Sequence, residues 1–375
     1  MSNSLPTTTF SSSLRDSLRL CLIPGVGPRI RQRLLQYFGD VLTVFAASAE
    51  QLRNVPGVGP QLSSRILRAS EIDVDREIAL CQQQGIDILL ETDSRYPVAL
   101  REIPDPPGVL FRRGTHVASD QLAVAIVGTR HATRYGLRQA ERLASGLARA
   151  GLTIVSGLAR GIDAAAHRAA LAAGGRTLAV LGSGVLNVYP PEHAELAADI
   201  ARQGAVYSEL PPLQQPMSGT FPQRNRLISG LSLGVLVVEA ADRSGALISA
   251  SHAAEQGREV FAVPGPADCR TSRGCHQLIR DGAKLVEVVE DVLDELGPLF
   301  APFRRDDGQS LRHPAELQLN PQERQVLDSI ATEPTDLDQI VRATQIPVHR
   351  VLATISVLEI RHLVRRVGGN AVIRL

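Results

Sequence analysis

At 375 residues the chain is too long for one ordinary hydrophobic core, and two or three domains are expected. Its formal charge of +1 hides an unusual choice of cation: Lys284 is the only lysine, so arginine carries nearly all the positive charge. Arginine makes forked contacts with phosphate and stacks on planar groups, although a base-rich genome produces the same bias with no functional meaning. Lys284 follows Ala283, which excludes a G-x-x-x-x-G-K-[ST] phosphate loop and a Walker-type ATPase. Cys21, Cys81, Cys269 and Cys275 form no C-x-x-C pair. They read as ordinary thiols in a reducing cytosol, and no metal or other cofactor is expected.

The opening stretch, MSNSLPTTTFSSSLRDS, lacks a basic segment followed by an apolar one and reads as a floppy tail, not a signal peptide. An internal repeat follows. Pro24–Pro28 and Pro56–Pro60 both spell P-G-V-G-P, each ahead of a helical pattern. Glycine-bearing hairpins between short helices present backbone N–H groups to phosphate. Residues 1–70 hold eight arginines against Asp16, Asp40 and Glu50, a local surplus that points towards nucleic acid. A small helical module that keeps its hairpins for packing or protein contact fits the same residues, and both readings stand.

From about residue 71 the pattern changes. A Pro-rich lead-in, YPVALREIPDPPGVLFRRG, precedes six apolar runs: LAVAIVGTR, LTIVSGLARGID, RTLAVLGSG, AVYSEL, LGVLVVEAADRSG and EVFAVPGP. Ala-rich helical stretches separate them. Strands buried on both faces and alternating with helices predict an α/β domain with a parallel sheet. Residues 297–318, rich in Pro and charge, read as a linker. The remainder predicts three helices and a hairpin, with Asn320, Pro321 and Glu323 marking a helix start and Gly368-Gly369-Asn370 a turn. That is a winged-helix pattern. With seven arginines against six acids from 318 onward, DNA binding by this module is not assumed. The expected organisation is a helical helix-hairpin-helix (SAM-like) domain over 1–70, a Rossmann-like domain over 71–296, the linker over 297–318 and a winged helix over 319–375.

Ligands of an open parallel sheet bind beyond the carboxyl ends of its strands. Here those ends read Gly128-Thr129-Arg130, Ser156-Gly157 with Arg160-Gly161, Gly182-Ser183-Gly184, Glu239 with Ser244-Gly245, and Pro264-Gly265. One glycine turn is weak evidence, but a series along one sheet points to an anion site. The dinucleotide fingerprint G-x-G-x-x-G is absent after the first of these strands. Ser156, Ser183, His167 and Asp163 do not fall in a G-x-S-x-G elbow, and Asp163 and His167, at i and i+4, read as a structural helix pair. The stretch FPQRNRLISGLS sets Phe221, Arg224, Asn225, Arg226 and Ser229 just ahead of an apolar run. In a chain with no Trp and eight Phe, that placement suggests a ring for base stacking and arginines for phosphate. The alternative is a packed Phe221 with the arginines paired to Glu239 or Asp242.

Taken in order, VGTRHATRYG, IVSGLARGIDAAAHRAAL, VLGSGVLNVYPPEH, FPQRNRLISGLS, VVEAADRSGALISASHAAEQGREVFAVPG and GCHQLIRDGAKLV resemble the motif succession of the DNA-processing protein A (DprA/Smf) family over roughly 95–295. The resemblance implies a cytoplasmic, membrane-free, non-enzymatic protein that binds single-stranded DNA without sequence preference. It further implies a homodimer through the Rossmann-like domain that protects incoming DNA and loads the RecA recombinase onto it during natural transformation. By motif position, Arg130 would hold a phosphate. Gly128, Thr129, Ser156, Gly157, Arg160, Gly182 and Ser183 would line the site, Phe221, Arg224, Asn225, Arg226 and Ser229 would form its edge, and Gly245 would allow close approach. Members often use lysine around this pocket, whereas here arginine carries the whole load, and His193 stands where Asn is commoner. A second reading compares the core with nucleoside-monophosphate phosphoribohydrolases, with Glu239 as the acid, but their P-G-G-x-G-T-x-x-E run is missing.

Overall fold

Nine strands form one sheet in the computed structural model of the chain, which describes residues 12–300, 315–316, 319–367 and 370–375. In chain order they are β1 (Asp87–Leu90), β2 (Val109–Gly114), β3 (Ala123–Val127), β4 (Thr153–Ser156), β5 (Thr177–Val180), β6 (Ala205–Ser208), β7 (Gly234–Val237), β8 (Glu259–Ala262) and β9 (Lys284–Leu285). Their spatial order is β1-β2-β6-β5-β4-β3-β7-β8-β9. Every residue of β3 to β7 is buried, as continuous aliphatic runs require when both faces of a sheet are covered. The helices Arg134–Arg149, Ile162–Ala172 and Val289–Phe300 close one face, and Thr220–Gly230 and Gly245–Glu255 close the other.

The sheet is mixed, not parallel throughout. From β6 across to β9 all neighbours are parallel, but β2 runs antiparallel to both β1 and β6. The Pro-rich lead-in therefore contains an integral strand, Val109–Gly114, whose Phe111 and Leu110 are buried. From β3 the chain moves outward through β4, β5 and β6, then returns to the other side of β3 with β7 and continues to β8 and β9. The loops leaving β3 and β7 thus diverge, and a crevice opens at their carboxyl ends.

The first residues are not all tail. Ser12–Leu22 is a helix whose Leu14 and Leu18, one turn apart, join Val74, Ile78, Val109 and Phe111 in the core beneath the β1–β2 edge. Residues 1–11 lie outside the described part. The repeated P-G-V-G-P segments form two hairpins that hold each other. Each places a proline at the start of a helix, Pro28–Phe38 and Pro60–Leu67, behind an extended glycine cap. Arg33 Nη1 donates to Pro56 O at 3.0 Å, and Arg65 Nη1 donates to Pro24 O at 2.9 Å, a reciprocal exchange between the repeats. The arginine surplus of residues 1–70 is matched by acids further along the chain. Arg15 pairs with Asp75, Arg29 with Asp105, Arg31 with Glu91 and Arg68 with Glu71.

At the other end, the helices Pro321–Asp328, Leu337–Thr344 and Val348–Ile360 pack with a small sheet of β10 (Thr335–Asp336), β12 (Ala371–Arg374) and β11 (Val364–Val367), a winged helix. Asn320 and Glu323 exchange hydrogen bonds across the first turn of this domain, the capping box that their spacing predicts. The linker reading needs trimming at both ends. The helix Val289–Phe300 runs into it, and Ala315 and Glu316 are buried against the winged helix, with Glu316 facing Arg374 at 3.1 Å. Residues 301–314 and 317–318, like the turn glycines Gly368 and Gly369, lie outside the described residues. Among the described residues no helix is long and apolar enough to cross a membrane.

The two hairpin glycines of the second repeat have unequal demands. Gly57 has φ +93°, and a Cβ there would lie 2.7 Å from Ile30 Cδ1, whereas a Cβ on Gly59 would meet nothing within 4 Å. Gly57→Ala is expected to cost about 2 kcal/mol and Gly59→Ala less than about 1 kcal/mol. Urea denaturation of the two variants checks this ordering, and equal costs would contradict the reciprocal packing.

Candidate functional site

The crevice at the β3–β7 divergence is a cleft of about 670 Å³. Four consecutive residues after β3, Gly128 to His131, form one wall, and the turn Ser244-Gly245-Ala246 after β7 forms another. The helix Thr220–Gly230 supplies the third. At 100° per residue, Phe221, Arg224, Asn225 and Ile228 share one helical face, and these four line the cleft.

The floor is built around two buried ionisable groups, Asp163 and Arg224. Asp163, the second residue of the helix Ile162–Ala172, accepts hydrogen bonds from the N–H groups of Gly157 at 3.2 Å and Ala159 at 3.4 Å, and the Gly128 N–H also faces it. Burial pushes its carboxyl pKa upward, while Arg224 and these amides oppose the rise. Arg224 is 5% exposed and donates to Val180 O. Burial lowers its pKa to about 10, Asp163 opposes that shift and Arg130 adds to it. At neutral pH Arg224 therefore remains charged. Gly157 makes the approach possible, since a Cβ there would lie 1.9 Å from Arg224 Nη1.

The rim is different in kind. The Arg130 guanidinium lies 5.3 Å from the centroid of the Phe221 ring, and the Tyr189 ring stands 5.7 Å from Phe221 at 52°. Gly182 leaves room for Phe221, because a Cβ there would come within 2.7 Å of the ring. Among the described residues Arg130 has no carboxylate partner. Asn225 Nδ2 donates to Gly245 O at 3.1 Å and ties the helix to the wall after β7. Thr129 shapes the first wall, its N–H donating to Glu239 O at 2.7 Å and its Oγ1 accepting from His131 N at 3.2 Å. A Cβ on Gly245 would meet nothing within 4 Å, so the space in front of it is open to a ligand. Arg160 stands at the mouth beside Arg130 and Tyr189, already paired with Glu192.

Several candidate residues are not in the cleft. Arg226 follows Arg224 by two residues, a rotation of about 200°. It points to the opposite side, where it pairs with Glu209 and lies 3.5 Å from Asp105. Neither Glu239 nor Asp242 is the arginine partner. Ser229 folds its hydroxyl back onto Arg226 O at 3.1 Å within the helix. Ser156 Oγ donates to Ile126 O at 2.6 Å inside the sheet, and Ser183 is 1% exposed beneath the site. The Gly157 N–H is engaged by Asp163. Glu239 is 2% exposed, with its two oxygens accepting from Thr133 N at 2.9 Å and Thr133 Oγ1 at 2.5 Å, so it caps the helix Arg134–Arg149 and does not face the cleft. The expected Asp163–His167 pair is not formed either. His167 Nδ1 lies 2.6 Å from Thr177 Oγ1, which itself donates to Ile154 O. Tyr189, His131 and Met217 line the cleft without having been singled out. Tyr189 was findable, being one of five tyrosines and standing in the motif stretch VLNVYPPEH.

Comparison with known proteins agrees with this architecture. Residues 87–297 match the family model of DNA recombination-mediator protein A, residues 311–370 the DprA winged helix domain, and residues 17–71 the SAM-like Helix-hairpin-helix tandem. The chain belongs to the DNA recombination-mediator protein A family. It is 36% identical to Protein Smf of Synechocystis over 92% of this chain and 95% of that one. It is 47% identical to DNA processing protein DprA of Streptococcus pneumoniae over 54% of this chain and 72% of that one. The X-ray structure of DprA from Streptococcus pneumoniae superposes with a TM-score of 0.66 at 37% identity, covering 75% of this chain and 97% of that one. A structure of DNA processing protein A from Helicobacter pylori, described for its single-stranded DNA binding mode, has a TM-score of 0.50 at 30% identity and covers 56% of this chain and 95% of that one.

Behind the site, His167 is fully buried and neutral, its pKa lowered to about 3 by burial, with His193, Arg224 and Arg168 adding to the effect. The unfolded chain takes up this proton near pH 6.5, so the contribution is intact above 6.5 and is lost as pH falls towards 3. The loss is roughly 1.4 kcal/mol per pH unit. Between pH 6.5 and 5, wild type is expected to lose about 2 kcal/mol more stability than His167→Gln. Urea denaturation at the two pH values measures the difference, and parallel losses would contradict a neutral buried His167.

Proposed function

We propose that the chain binds single-stranded DNA in this cleft without reading its sequence, and acts as a cytoplasmic homodimer, through the sheet domain, that passes the strand to the RecA recombinase in recombination and natural transformation. The observation that carries the reading is the rim: an aromatic pair, Tyr189 and Phe221, beside a cation, Arg130, that lacks a carboxylate partner among the described residues. The flat face of a ring accepts any base, but only a base whose own face is free, which means an unpaired strand. Arg130 then meets the backbone phosphate. The single-stranded DNA binding of the Helicobacter pylori relative supports the ligand. The family's description as a recombination mediator supports the handover to a recombinase. Binding without catalysis accords with the acids near the cleft, since Asp163 and Glu239 are both engaged internally.

Fluorescence anisotropy with labelled single- and double-stranded oligonucleotides across a salt series tests this. Phe221→Ala is expected to weaken single-strand binding by about 1–3 kcal/mol, roughly 5- to 150-fold, and to leave the salt slope unchanged. Arg130→Ala is expected to lower the slope of log K against log salt by about 0.7, one phosphate contact. If both variants bind as wild type does, the cleft is not the site. If wild type prefers duplex, the stacking account is wrong.

A further inference from the structure

In an open α/β sheet the loops after the strands flanking the switch point are where backbone amides gather a phosphate. This chain builds that nest. Leu158, a buried non-glycine residue at φ +57°, turns the loop after β4 so that the Gly157 and Ala159 N–H groups point the same way. Its carbonyl is held by His193 Nδ1 at 2.8 Å, which fixes the turn. Gly161 at φ +76° completes it, and no side chain fits there because a Cβ would lie 2.3 Å from Thr129 O. The Gly128 amide joins from the loop after β3. Yet the nest is already filled by the Asp163 carboxyl, which reaches the cleft surface and shares the floor with Arg224.

We propose that the Asp163 carboxyl is the resident occupant of this sheet's phosphate nest, a specificity-determining residue that keeps inorganic phosphate and mononucleotides out of the cleft and leaves phosphate recognition to the Arg130 side chain. The inference rests on the reading of the cleft as a site for a polynucleotide and adds why a free nucleotide does not compete for it. A compact dianion would need the three amides, and these are taken. A strand lying across the rim needs only a ring and a guanidinium, and Tyr189 and Arg130 are exposed there.

The test is thermal unfolding of the full chain in inorganic phosphate, against chloride of equal ionic strength, for wild type and Asp163→Ala. Because Asp163→Ala leaves the buried Arg224 guanidinium without its neighbouring carboxyl, Asp163→Ala/Arg224→Leu is measured beside it, keeping the vacated nest without the buried cation. Phosphate at 50 mM, a probe concentration of about that order, is expected to raise the melting temperature of the variants by about 3 °C more than that of wild type. A response in the variants no greater than in wild type, whose small rise reports the general stabilising effect of phosphate, overturns the proposal. No DNA enters the measurement, so its failure and a failure of the single-strand reading are distinguishable.

Discussion

The cleft depends on one pair of buried ionisable groups, Asp163 and Arg224. A polar group taken out of water must find partners inside the protein: Asp163 takes backbone amides and Arg224 the Val180 carbonyl. The neighbouring sequence follows from that constraint. Gly157 has no side chain because the guanidinium passes through its place. The amides of Gly128, Gly157 and Ala159 turn inward to the Asp163 carboxyl. Arg224 fixes the rotation of its helix, and one turn earlier on the same face Phe221 is brought to the rim, against Gly182 and beneath Arg130. The Asp163 carboxyl is satisfied internally, and the rim presents the exposed Arg130.

That division suits the proposed handover, in which the strand must be released. An aromatic pair and a lone cation offer sequence-tolerant contacts of moderate strength, each renewed at the next nucleotide. A deep phosphate cradle would bind a chain end or a free nucleotide more tightly and would not slide. The placement of the cleft at the point where strand order reverses also matters. Its walls come from two separate loops and one helix, so the rim residues are positioned by the whole sheet and not by a single flexible segment.

Much of this was legible in the sequence. The six apolar runs became β3 to β8, and of the glycines at their ends Gly128 and Gly245 line the cleft. Three strands were hidden for physical reasons: β1 is a four-residue edge strand held by β2, β2 sits inside a Pro-rich stretch, and β9 is two exposed residues whose pairing comes from β8 and not from their own pattern. Arg226 stands two residues from Arg224 in sequence but not beside it in space. Once Thr220–Gly230 is a helix, Arg224 and Arg226 face opposite ways. The charge surplus of residues 1–70 misled in the same manner, since its partners, Asp75, Glu91 and Asp105, lie beyond the segment over which it was counted. Ser156 ends β4 with its hydroxyl bonded to Ile126 O inside the sheet, and Ser183, three residues beyond β5, is buried.

The most direct test of the central claim is to photocrosslink a single-stranded oligonucleotide carrying 5-iododeoxyuridine to the full chain and map the adducts by mass spectrometry. Adducts concentrated on Phe221, Tyr189 and Met217, at the rim of the cleft, are the predicted result. Adducts confined to the glycine hairpins at 24–28 and 56–60, or to the winged helix, with the rim unmarked, would contradict the account.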